Sequence, residues 1–107
     1  MAAAFKAHGP ALAASIAASN AHWEAFVAVP SGVVRLQDVP WPDVGVLSNA
    51  QALGLEVDVR ALQARWHPDR FSQKFGARLA EGDRDAIMER VTSVAASINT
   101  LRQRAGK

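Results

Sequence analysis

Cysteine is absent from this 107-residue sequence, which excludes a disulfide framework and any thiolate metal or redox centre. No apolar run approaches the roughly 20 residues that a membrane-spanning helix requires, because Pro, Asn and charged residues interrupt each one. Acid is nearly missing from the first two dozen positions, and arginine is missing from "MAAAFKAHGPALAASIAASNAHW" altogether. Organelle transit peptides share the alanine and the lack of acid but are rich in arginine. Organelle import therefore stays open, and the plainer reading is an alanine-rich helix.

Catalytic machinery is lacking too. No serine or cysteine nucleophile sits in a recognisable elbow or glycine-rich loop. The three histidines, His8, His22 and His67, show no ligand spacing, and without cysteine a zinc site would need remote carboxylates. An enzyme is not expected, nor a metal, a cofactor or a small-molecule substrate.

The length suits one small domain, and half of the residues are hydrophobic. Many of these are alanines that bury little surface, so the core rests on Trp23, Phe26, Trp41, Trp66, Phe71, Phe75 and the branched aliphatics. The formal net charge is only +2, yet five cations and a single acid, Asp69, lie between Arg60 and Arg78. That stretch presents a positive patch, which implies acidic partners.

The periodicity predicts an all-α fold. After Gly9-Pro10, Leu12, Ile16, Trp23, Phe26 and Val27 share one helical face, and this helix ends before Pro30-Ser31-Gly32. "VVRLQDVPWPDVG" reads as an extended connector whose Trp41, held between Pro40 and Pro42, packs on the helices. "VLSNAQALGL" forms a short helix stopped by Gly54, and Asp58 caps the next one, on which Val59, Leu62 and Trp66 make a stripe flanked by Arg60 and Arg65. Phe71, Phe75 and Leu79 at steps of four indicate a further turn or two of helix. The last helix is capped by Asp83 or Asp85. It buries Ile87, Val91, Val94, Ile98 and Leu101 and ends with Arg102, Arg104 and Lys107, where the helix dipole favours cations. Its stripe calls for an antiparallel partner, for which the Val59 to Trp66 helix is the nearby candidate.

"ARWHPDRF", residues 64 to 71, interrupts this pattern. Pro68 disfavours helix in the residue before it, so the helix must stop at Trp66 to His67 and place His67 and Asp69 on an exposed bend. A helical hairpin with a basic first helix and this bend at its tip resembles the J domain, the part of DnaJ-type co-chaperones that engages the DnaK-type heat-shock ATPase. The resemblance includes Trp66 just before the histidine, Leu62 four residues earlier, the basic Arg60 and Arg65, Arg70 after the aspartate, and "LGL" at 53 to 55. Two departures stand out: the interval from "LGL" to His67 is short, and the loop "RFSQKFGARLAEGD" is long and apolar.

Both departures suit a closer resemblance, to the C-terminal part of the NF-kappa-B inhibitor-like proteins. It runs from Trp23 to Leu101 through "RLQDVPWP", "WHPDRF" and "FGARLAEGDRDAIMERVTSVAASINTL". The resemblance implies a J-domain-like antiparallel hairpin over residues 23–107, preceded by an alanine-rich segment, residues 1–22, that starts a helix. It also implies an intracellular location, nuclear or cytoplasmic. Relatives in animals carry ankyrin repeats and are associated with NF-kappa-B signalling and splicing choice. No ankyrin pattern occurs here, so activities that need those repeats are not expected.

If the bend works as in a J domain, it performs no chemistry and instead stabilises the ATPase in its hydrolysing arrangement by differential binding. Asp69 would offer a carboxylate to an arginine of the chaperone, His67 a ring donor, and Pro68 rigidity. Arg60, Arg65, Arg70 and Lys74 would steer the positive face onto an acidic surface. The alternative from another class is a non-enzymatic nuclear adaptor in signalling or RNA processing. Nucleic acid is a weaker expectation: Phe71 and Phe75 interleave with Arg70, Lys74 and Arg78 as in single-strand binders, but their helical spacing is explained by burial.

Overall fold

Alanine dominates the start of the chain, and one 27-residue helix, α1, runs there from Ala2 to Ala28. The computed structural model describes the backbone of residues 2–105 and the side chains of residues 10–104. Lys107, expected beside the last helix's C-terminal end, lies outside that range, as does the His8 side chain. The expected start after Gly9-Pro10 is corrected, because Pro10 lies inside the helix. Proline removes one backbone donor, but the strong helix formers around it carry the helix across the gap.

The connector is less extended than its prolines suggest. Val34 makes an isolated parallel bridge with Leu79: its N–H donates to the Arg78 carbonyl at 2.7 Å, and its carbonyl accepts from the Ala80 N–H at 2.7 Å. A single 3₁₀ turn follows at Leu36–Asp38. The Trp41 indole N–H then donates back to the Leu36 carbonyl at 3.1 Å, which fixes the ring over the core.

Helix α2, Val44–Ala52, begins inside the expected connector at its cap Asp43, whose carboxylate accepts the Val46 N–H at 3.1 Å. It ends as expected at Gly54, with φ +81°. There the N–H groups of Gly54 and Leu55 donate to the carbonyls of Gln51 and Ala50, so two of the helix's orphan carbonyls are satisfied. Helix α3, Val59–Trp66, is capped by Asp58 through the Ala61 N–H at 3.1 Å and has only eight residues, as the short interval to His67 implied. Helix α4, Pro68–Phe75, takes up the start of the long apolar loop and passes into a 3₁₀ turn at Gly76–Arg78.

Helix α5, Arg84–Ala105, buries Ile87, Val91, Val94, Ile98 and Leu101. Its start corrects one detail. The Asp83 carbonyl accepts the Ile87 N–H, but the Asp83 carboxylate accepts the Leu36 N–H at 3.0 Å and so ties the helix to the connector. Helix α5 packs most closely on α3 and also on α2 and α4. The described residues thus form an all-helical antiparallel hairpin, with α1 and the connector laid across it. Among them, no helix is long and apolar enough to cross a membrane.

Candidate functional site

A single residue, His67, joins α3 to α4. Its backbone is extended, with φ −62° and ψ 122°, as a residue before proline requires. Pro68 then occupies the first position of α4, where a missing N–H costs nothing because that donor has no helical partner anyway. The Phe71 N–H donates to the His67 carbonyl at 2.9 Å and closes the first turn. Asp69 lies within that turn, where a negative charge suits the helix dipole.

What fixes the bend in space is the burial on either side of it. Trp66 is 2 % exposed and Phe71 is 1 % exposed, and their rings stack at 5.9 Å with 16° between planes. Trp66 also stacks on Trp41 at 5.4 Å and meets Trp23 at 5.1 Å. His67 and Asp69 are exposed and Pro68 is half-buried, so two outward-facing residues are held either side of the proline between two anchored rings.

The cations expected around the bend divide between two faces. Arg60, His67, Pro68 and Arg70 border a groove of about 680 Å³ between α3 and α5. Arg65 and Lys74 line a neighbouring depression with Trp23, and Ala64 and Arg70 border both. The Arg65 side chain is half-buried: its guanidinium donates to the Asn20 side-chain oxygen at 2.8 Å and sits 5.7 Å from the Trp23 ring centroid. Lys74 is exposed, with its ammonium 5.9 Å from the Phe75 ring. Arg78, part of the same basic run, donates to the carbonyls of Gly32 at 2.9 Å and Val29 at 3.4 Å, and so secures the connector.

Sequence reasoning missed the α5 side of the groove. Arg102, read only as a complement to the helix dipole, donates to Gln63 at 2.9 Å, and Gln63 donates to Asn99 at 2.9 Å. The missed signal is a second stripe, Thr92, Ala95 or Ala96, Asn99 and Arg102, at helical spacing beside the buried one. Phe71 and Phe75 are 1 % and 2 % exposed, so neither ring is available for base stacking.

A helical hairpin that exposes His-Pro-Asp from an aromatic base is the class that fold and site define. Residues 47–106, more than half of the chain, match the family model of the NF-kappa-B inhibitor-like protein 1 C-terminal domain. The chain belongs to this family. The match begins within α2 and takes in "WHPDRF", while α1 and "DVPWP" stand before it. No solved structure matches the chain.

Proposed function

We propose that this chain is a J-domain-type co-chaperone module that binds a DnaK-type heat-shock chaperone and stimulates its ATP hydrolysis through His67, Pro68 and Asp69. The observation that carries this reading is the mounting of the tripeptide between the buried rings of Trp66 and Phe71. A loop stiffened in this way loses little conformational entropy on docking, so more of the contact energy goes to the partner's hydrolysing state. Asp69 accepts from a chaperone arginine in a charge-assisted contact, while Arg60 and Arg70 bring the positive face toward acidic surface.

The test is single-turnover ATP hydrolysis by a DnaK-type chaperone alone, with the chain, and with the folded Asp69→Asn variant. Stimulation by the chain that disappears with Asp69→Asn is the expected result. Equal rates in all three reactions would overturn the reading.

A second reading is supported by the short α3 and by family membership. With eight residues and Arg65 drawn onto α1, α3 offers a smaller basic surface than a long helix would. The hairpin then serves as a nuclear adaptor in signalling or RNA processing, without chaperone stimulation. Under that reading Asp69→Asn is no more harmful than any other single exposed substitution.

A further inference from the structure

The groove between α3 and α5 has an α5 side that the chaperone reading does not use. Methyl groups of Ala64 of α3 and of Ala95 and Ala96 of α5 are part of its lining. Arg60 and Arg102 lie toward one end and His67 and Arg70 toward the other, and no acidic side chain is among the lining residues. Between the ends, the chain of hydrogen bonds from Arg102 to Gln63 to Asn99 supplies amide and guanidinium edges. Asp69 and Lys74 are not part of the lining.

We propose that this groove receives an acidic helix of a partner protein, laid along the seam of the hairpin with carboxylates about two turns apart. Two packed helices leave a trough that a third helix fills by ridges-into-grooves packing, and the small side chains of Ala64, Ala95 and Ala96 favour a close approach. Arg60 and His67 are seven residues apart in sequence, which corresponds to about 10 Å along a helix at a rise of 1.5 Å per residue. An occupant with acids at positions i and i+7 on one face therefore meets the Arg60 cation at one end and the His67 ring donor, with Arg70 beside it, at the other, and small residues between them meet the alanines. Single-stranded RNA shares the negative charge, but the groove offers no Trp, Phe or Tyr ring on which bases would stack. The groove shares Arg60, His67, Pro68 and Arg70 with the chaperone reading, while Asp69 lies outside it and Ala96 and Arg102 belong to it alone, so variants at those three positions tell the two apart.

The test is a fluorescence anisotropy titration of a labelled, alanine-rich helical peptide of about 20 residues with glutamate at every seventh position. One control peptide spreads the same glutamates around the helix, and another carries a central proline. The first peptide should bind and both controls should bind markedly less. Arg60→Glu and Arg102→Glu should each weaken binding roughly tenfold. Ala96→Trp, which sets a bulky ring on the groove from an exposed position, should abolish it, and Asp69→Asn should leave it unchanged. Arg60→Ala and Arg102→Ala introduce no new charge and keep the test open should a reversal disturb the fold. Equal binding of the three peptides, or indifference to Ala96→Trp, would overturn the proposal. So would an oligouridine that binds through Arg60 and Arg102 when the peptide does not.

Discussion

Arg65 reaches back across 45 positions to donate to Asn20 at 2.8 Å, which fastens α3 to the N-terminal helix by one of the arginines that flank its apolar stripe. Arg60, one turn nearer the start of α3, is exposed on the groove. The two residues look equivalent as charges on a short helix, but their surroundings give them different work.

The two should therefore separate by experiment. Arg65→Ala is expected to lower stability by about 1 kcal/mol, from the lost hydrogen bond and the contact with Trp23, and to retain most chaperone stimulation. Arg60→Ala should leave the denaturant midpoint in place and reduce stimulation, more so at low salt. Matching phenotypes for the two would contradict the division of the cations between two faces.

Pro68 offers a test of rigidity. Alanine is compatible with the first position of α4, so Pro68→Ala should change stability by less than about 1 kcal/mol. Stimulation of the chaperone should nevertheless fall, since the bend then loses more freedom on docking. Calorimetry and single-turnover hydrolysis on the same preparation decide the matter; undiminished stimulation would count against a role for stiffness.

Core packing is probed by Trp66→Ala and Ile98→Ala. Both side chains are buried, at 2 % and 0 % exposure, and each truncation should cost about 2 to 5 kcal/mol. Urea midpoints report the loss, and unshifted midpoints would be incompatible with the packing of α3 on α5.

Asp83 links distant parts of the chain, so its removal should be felt beyond its own helix. Asp83→Ala leaves the Leu36 N–H without its acceptor and should destabilise by about 1 to 3 kcal/mol. Asp83→Asn keeps an acceptor oxygen and should cost less. Hydrogen exchange at the Leu36 amide is the direct readout, with faster exchange expected in Asp83→Ala.

The elements that could be read from the sequence are those with strong local signals. Ile87 through Leu101 carry an unbroken apolar period, Gly54 supplies the left-handed residue that ends α2, and Asp58 caps α3 as expected. The bend followed from Pro68 acting on His67, a steric effect between neighbours that needs no tertiary information. What was missed depends on contacts distant in sequence. Nothing local distinguishes Arg65 from Arg60, since the difference lies in Asn20, 45 positions away. Asp83 looked like an ordinary cap because the Leu36 N–H that claims its carboxylate is 47 positions away. Pro10 misled in the other direction, as a breaker whose effect the alanines around it outweigh.

The indole of Trp66 lies with its centroid 5.1 Å from that of Trp23 and 5.4 Å from that of Trp41, directly beneath the bend. The chain has no tyrosine, so its near-ultraviolet absorption comes almost wholly from these three chromophores. Rings held this close in a fixed packing should give the folded molecule a near-ultraviolet circular dichroism signal. Lifting either outer ring away would extinguish part of that signal while the helical far-ultraviolet spectrum persists. The support under His67 and Asp69 thus contains a label-free optical gauge, able to report whether docking a partner leaves the aromatic base intact.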